Sequence, residues 1–403
     1  MILQKKYYEN LYEKEFTTSI INTVEKEGQY HVVLDETYFY PEGGGQPSDT
    51  GTIDSIPVIF VYEDETQETI YHVLEKKPNK LKRVTCSIDW NRRYDHMQQH
   101  LGQHLLSASI FELFNGVTVG FHLSEHYCTI DIDKAMNETG ILEAEKAVNQ
   151  SILDSRKVQG LFPTYTELKK LPLRKMPPQT TGQIRIVQIE GIDATPCCGT
   201  HPHSTLEVQL MKITKWEKYK GGTRIEFLCG SRAIRDYAFK HETIKKTAQF
   251  LSCNENTLLE RTNQLLEELR QSNADRRSLQ AQVTDYEVKD IFTSAESVGD
   301  NKIIKSIFNN AEMKQINSLA SKLVSFPRVI VLFGIKSEDK AQLLFMRSEE
   351  LTTISMKTLL RDAITLVDGK GGGSDLSAQG GGKNKGNLDS AIEYAYRQVK
   401  QVL

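Results

Sequence analysis

His96-Met97-Gln98-Gln99-His100-Leu101-Gly102-Gln103-His104-Leu105-Leu106-Ser107 sets three histidines at intervals of four residues. On a helix, residues i and i+4 share a face, so an adjacent pair can converge on one ion. Eight residues of helix turn by about 80° and climb about 12 Å, so all three rings cannot hold the same metal. Two pairs stay open, His96 with His100 and His100 with His104. The complementary half lies farther along, in Cys197-Cys198-Gly199-Thr200-His201-Pro202-His203. Cys198 competes with Cys197 as a thiolate and His203 with His201 as an imidazole; the i, i+4 choice of Cys197 and His201 is favoured. A lone helical histidine is usually a packing or surface residue, but two such pairs in one chain point to a metal. Three imidazoles and a thiolate are the mixed donor set that zinc prefers. Four protein ligands also mark structural zinc, whereas catalytic zinc keeps a position open. Spacing alone does not separate the two.

The chain has 403 residues, enough for two to four domains. With 39% hydrophobic and 26% charged residues it fits a globular protein rather than a disordered one. No apolar run reaches the ~18 residues of a membrane span, and the N-terminal residues lack a signal-peptide pattern. A cytoplasmic location, with no membrane partner, is the expectation. Six cysteines in a chain of this length do not make a disulfide framework. The formal charge of −3 gives no overall field for nucleic acid, so local basic segments would have to supply it.

Outward from the histidine helix the pattern is α+β. Residues 1–88 alternate short β-branched and aromatic runs (Tyr30–Asp35, Ile53–Phe60, Val84–Asp89) with turns, predicting a small β-barrel. Within it, Tyr40-Pro41-Glu42-Gly43-Gly44-Gly45-Gln46-Pro47-Ser48-Asp49-Thr50-Gly51 has three glycines in a row. That permits positive φ or close backbone approach, although a flexible hairpin would look the same. Residues 89–233 read as the metal-binding α+β domain. Its helix runs over 92–114, and a second over 141–157 has Leu142, Ala147, Val148 and Ile152 as inward positions. A proline-rich linker follows over 169–178, with strands expected over 184–189, 206–213 and 223–229. Residues 234–292 are helical without proline. Leu258, Leu265, Leu279 and Tyr286 share one heptad position, with Leu269 and Val283 in another, predicting a coiled-coil arm, a helical hairpin or one packed helix. Residues 293–403 read as a small α/β domain with a buried strand at Val329–Gly334. Its glycine triplets Gly371, Gly372, Gly373 and Gly380, Gly381, Gly382 are flanked by Lys370 and Lys383. They match no nucleotide fingerprint but are candidate phosphate cradles.

His100 and His104 with Cys197 and His201, in the contexts Gln-His-x-x-Gln-His-Leu-Leu-Ser and Cys-x-Gly-Thr-His, resemble the editing domain of alanyl-tRNA synthetases. The resemblance is closer still to free-standing AlaX-type editing proteins. Phe39–Gly51, Thr118–His122 and Lys220–Phe227 belong to the same resemblance, and the two glycine triplets resemble the DHH-associated domain of the long AlaX form. It covers nearly the whole chain. It implies one zinc ion per chain held by His100, His104, Cys197 and His201, and ATP-independent hydrolysis of tRNA(Ala) mischarged with serine or glycine. The synthetase's catalytic half is absent, and no Asp-His-His motif accompanies the C-terminal domain. Where the synthetase loop has glycine after its first cysteine, this chain has Cys198.

An aminoacyl ester is activated already, so hydrolysis needs a positioned water and stabilisation of the oxyanion; no Ser-His-Asp grouping is called for. Sparing alanine while cutting serine requires a buried polar group built for one hydroxyl, which can discriminate by up to about 10⁴-fold. Gln103, Thr118 and His122 are the catalytic-site candidates, each equally readable as an ordinary core or surface polar residue. Gly43, Gly44, Gly45, Lys218, Lys220 and Arg224, with the C-terminal glycines, are the candidates for binding tRNA. Trp216 and Tyr219 interleave with those basic residues, as suits an unpaired CCA end. The rival function is a non-catalytic tRNA-binding protein with a structural zinc. A homodimer through the C-terminal half is a further expectation.

Overall fold

The computed structural model describes residues 4–64, 66, 68–176 and 184–403. The last two residues of the linker expected over 169–178 lie outside them. The chain divides into two compact units, 1–250 and 251–403, a break that falls inside the helical stretch expected over 234–292.

In the first unit a seven-stranded antiparallel sheet uses, in spatial order, Glu15–Thr18, Val84–Ile88, Gly51–Ile53, Ile56–Asp64, Thr69–Leu74, Gln29–Leu34 and Ile20–Lys26. Its two edges, Glu15–Thr18 and Ile20–Lys26, are separated in the chain only by Ser19, so the sheet curls until one bent stretch serves both ends. Phe39, Ile53, Val61, Leu74 and Val84 fill its interior. The strand expected over 53–60 is instead two, because Asp54 and Ser55 both take positive φ and turn the chain.

Helix α1, Trp90–Phe114, opens on Asp89, whose carboxylate accepts the Arg92 N–H, and closes on Asn115 in the left-handed conformation. Most of its length is buried on all sides. One side meets the four-stranded sheet of Thr118–Leu123, Cys128–Ile132, Gly222–Cys229 and Met211–Tyr219. Gly102 permits this contact: a Cβ there would lie 2.2 Å from Cys229 Sγ. Helix α2, Glu138–Leu153, packs beside it. Its buried stripe is Ile141, Ala144, Val148 and Ile152; Leu142, expected inward, is exposed, because the stripe runs i, i+3, i+7 from Ile141. A three-stranded sheet, Val158–Leu161, Ile186–Ile189 and Asp193–Pro196, carries the metal-site loop on its last strand. The short helix α3 (Tyr165–Leu168) and helix α4 (Gly230–Phe250) complete the unit. The strand expected over 206–213 begins only at Met211, after a 3-10 turn over Thr205–Val208.

The second unit is a three-layer α/β fold. Helix α5, Leu258–Ser294, leads into a six-stranded sheet ordered Glu296–Val298, Asn301–Asn309, Val329–Lys336, Ala341–Arg347, Ser377–Gly382 and Gly369–Gly373. Val329–Lys336 is apolar throughout because both faces are covered: Val331 and Phe333 pack under helix α6 (Met313–Leu323), while Ile330 and Leu332 face helices α7 (Met356–Ala363) and α8 (Leu388–Val402). Of the expected heptad positions on α5, Leu269, Leu279, Val283 and Tyr286 are exposed. The glycine triplets form two paired strands rather than open loops: a Cβ on Gly380 would strike Ile364 at 2.2 Å. Among the described residues, no helix is long and apolar enough to cross a membrane.

Candidate metal centre and its cavity

Four side chains converge where α1 meets the Cys-His loop. His100, His104, Cys197 and His201 place one donor atom each within 4.8 Å of one another. Cys197 Sγ lies 3.4 Å from His100 Nε2 and 3.7 Å from His201 Nε2. Tetrahedral zinc with bonds of ~2.0 Å to nitrogen and ~2.3 Å to sulfur sets its ligands roughly 3.4–3.6 Å apart, so the spacing suits the ion. Gly199 lets the loop close: a Cβ there would sit 2.2 Å from the His100 ring. The competitors drop away. His96 is buried outside the cluster, and His203 is exposed, with its ring on Tyr12. Cys198 is exposed, its carbonyl accepting from Tyr8 Oη.

Hydrogen bonds fix the histidine tautomers. Gln46, from the glycine-rich turn, aims Oε1 at both His100 Nδ1 (2.9 Å) and the Thr200 N–H (3.0 Å), so His100 Nδ1 donates and Nε2 keeps its lone pair. His104 Nδ1 faces Asp193 Oδ2 at 3.4 Å, which frees His104 Nε2 in the same way. Yet, among the described residues, neither buried His104 Nε2 nor buried His201 Nδ1 has a hydrogen-bond partner. An unpaired buried acceptor is costly unless something electron-poor meets it. A cation answers that need for His104.

The charges agree. Burial alone would push the Cys197 thiol up, but the imidazoles of His100, His201 and His104 outweigh it and hold the thiol well below its usual range. Burial likewise opposes the Asp193 charge, yet hydrogen bonds from His104 and Arg174 hold that carboxyl down at about 2. Burial also disfavours a charged His104; Cys197 and Asp193 override it and lift the ring to about 9, whereas burial takes His201 down to about 3.

A cavity of about 450 Å³ opens beside the cluster, lined by Gly44, Gln103, His104, Thr118, Phe121 and Arg174 among others. Gly44 has φ +58°, and a Cβ on it would lie 3.8 Å from Cys198 Cβ; Gly45, at φ +80°, faces the Phe121 ring, which in turn packs on His100. Gln103 and Thr118 both line this cavity. His122 does not: it is exposed, one residue on from Phe121 along an alternating strand, and its ring neighbour is Tyr127. Lys218 and Lys220 are exposed on the hairpin 211–229, while Arg224 is paired to Asp131 at 2.6 and 2.8 Å. Sequence reasoning missed Gln46 and Asp193, and also Arg174 and Arg185, which bring positive charge to the cavity wall. Arg174 lies within the linker expected over 169–178, and Arg185 in the strand expected after it.

Three family models match the chain: the threonyl and alanyl tRNA synthetase second additional domain over residues 184–226, the DHHA1 domain over 299–401, and class II (A) tRNA synthetases over 3–92. The first of these takes in the Cys-His loop, so Cys197 and His201 fall within a class of synthetase-related domains, while His100 and His104 lie outside that match. The alanyl-tRNA editing protein AlaX-L of Pyrococcus horikoshii is 32% identical over 94% of both chains. Alanyl-tRNA editing protein Aarsd1 of Rattus norvegicus is 29% identical over 92% of both. Alanine–tRNA ligase of Pyrococcus furiosus is 32% identical over 81% of this chain but only 36% of its own. This chain belongs to the AlaX family of alanyl-tRNA editing proteins.

Proposed function

We propose that this chain is a zinc-dependent trans-editing hydrolase, which cuts the ester between a wrong amino acid, serine or glycine, and tRNA(Ala). The observation that carries this reading is the meeting, in one cavity, of the His100/His104/Cys197/His201 cluster with the uncharged polar wall of Gln103 and Thr118. When bound, zinc supplies a Lewis acid that can polarise an ester or anchor a free α-amino group. The chain's own residues do the sorting. Gln103 and Thr118 stand where a seryl hydroxyl can be met by hydrogen bonds that an alanyl methyl cannot make. Phe121 and the Gly44–Gly45 turn wall the cavity, and Arg174 and Arg185 lend charge that suits the phosphates of a CCA end. Lys218 and Lys220 are the proposed contacts for the tRNA body, together with the C-terminal glycine hairpin and its lysines. The exposed seam of α5 is the proposed homodimer contact, to be checked by light scattering.

The test is deacylation of Ser-, Gly- and Ala-tRNA(Ala), with zinc measured in the same preparation. Hydrolysis of the first two and sparing of the third is expected; inertness toward all three at full zinc occupancy sinks the reading. Activity should also fall steeply between about 50 and 200 mM salt if phosphate contacts hold the substrate. The closed, four-ligand geometry favours one rival, a tRNA-binding protein with structural zinc. His104→Ala separates them: lost deacylation with fold and tRNA affinity intact supports the hydrolase, and unfolding supports the rival.

A further inference from the structure

His100, Gln103, His104 and Ser107 follow the i, i+3, i+4, i+7 spacing, so they form one polar stripe along α1. Ser107 is the member for which the reading above has no use. It is fully buried. Gln103 Nε2 donates to its Oγ at 2.7 Å, and Thr118 Oγ1 donates to the same oxygen at 2.7 Å. A hydroxyl oxygen has two lone pairs, and these two donors use both.

The consequence falls on the cavity wall in front of it. Thr118 has one proton, and that proton is committed to Ser107, away from the cavity. What Thr118 offers a ligand is therefore its lone pairs. Gln103, with one N–H committed to Ser107, has its amide plane fixed. A wall that accepts suits a group that donates, such as the β-hydroxyl of a seryl ester. A methyl group in that place leaves the acceptor unmet.

We infer that Ser107 is a positioning residue that makes Thr118 an acceptor toward the cavity and so sets the preference for a hydroxyl-bearing aminoacyl group over a methyl-bearing one. This rests on the reading of the cavity as an aminoacyl-ester site. Without the Ser107 hydroxyl, Thr118 is free to rotate and spend its proton elsewhere, and Gln103 loses the anchor of its amide.

The test uses full-length, zinc-loaded protein and two hydrolysis-resistant probes, adenosines carrying serine or alanine through a 3′ amide, with binding followed by calorimetry. Wild type should bind the seryl probe at least about tenfold more tightly than the alanyl one, the worth of one well-made hydrogen bond. Ser107→Ala should bring that ratio to about twofold or less at unchanged zinc content, and Ser107→Thr, which keeps the hydroxyl, should restore it. Should Ser107→Ala not fold, Ser107→Cys keeps the volume with a weaker acceptor and should also lower the ratio. A ratio that survives in Ser107→Ala or Ser107→Cys, an equal loss for both probes, or no preference in wild type overturns the inference. The hydrolase reading fails separately, if wild type cleaves no ester while the probe ratio still answers for Ser107.

Discussion

Asp193 does for His104 what Gln46 does for His100: it accepts the Nδ1 hydrogen bond and leaves Nε2 free to meet a cation. Its charge is held in turn by Arg174, at 2.8 and 3.0 Å, and by the Thr195 hydroxyl. Asp193→Asn keeps the shape but removes the charge, and it leaves Arg174 unpaired. Zinc affinity should drop about 10- to 100-fold, read by competition against a chromophoric chelator with no substrate present; unchanged affinity would make Asp193 a mere packing residue. Neither partner was legible, because Gln46 lies 54 positions from His100 and Asp193 lies 89 from His104, and no local pattern links such pairs. Far from the metal, His72 makes a pH prediction. It is wholly buried in the curled sheet, with Nε2 on Thr37 Oγ1 and Nδ1 on the Val32 carbonyl, and burial takes it from 6.5 down to about 4. Between those values the unfolded chain holds a proton that the folded chain refuses, so stability is full above pH 6.5 and falls toward pH 4. The loss attributable to His72 is about 3 kcal/mol. Denaturant midpoints at pH 7 and 4.5, compared with those of His72→Asn, should show the variant's slope flattened by about 2 kcal/mol, the part of that loss falling in this window.

Helix α1 is the element on which sequence reasoning worked best, and it also shows where such reasoning stops. Three histidines in register announced a helix, and Trp90–Phe114 is that helix. What pins it is less visible. Arg93, fully buried, pairs with Asp49 of the glycine-rich turn and donates to the carbonyls of Leu11 and Tyr38, so the turn's last residues serve the helix rather than a ligand. Gly102 looks like a helix-weakening residue in sequence and is instead the point of closest approach to strand Gly222–Cys229. Gly102→Ala raises helix propensity yet should destabilise the first unit by about 1–3 kcal/mol through overpacking on Cys229. A midpoint that rises in chemical denaturation would show that the strand can give way. The C-terminal glycines, candidate phosphate cradles in sequence, show the same use of a missing side chain: it allows strand Gly369–Gly373 to lie flat on its neighbour beneath Ile364. Period-two burial, the usual mark of a strand, is invisible in a run of residues without side chains.

At the scale of the molecule, the chain builds separate cores, and only the first unit contains the metal cluster. The two tryptophans, Trp90 and Trp216, both belong to that unit as well. Tryptophan fluorescence therefore follows only the unit that carries the cluster, whereas far-ultraviolet circular dichroism, dominated by helix, also sees α5 to α8 of the second. A ligand bound only to the folded state stabilises it by mass action, about 2.7 kcal/mol at a hundred times its dissociation constant. For a unit of this size that is a shift of roughly 5–10 °C. Stripping zinc with a chelator should thus lower the fluorescence-detected melting temperature by that amount and leave the dichroism amplitude of the second unit melting where it did. If the fluorescence midpoint stays put after metal analysis confirms removal, the cluster does not hold an ion that supports the fold. The structural-zinc rival would then lose its basis, because such a site exists to stabilise. If instead both signals collapse together, the ion supports more than the unit that ligates it.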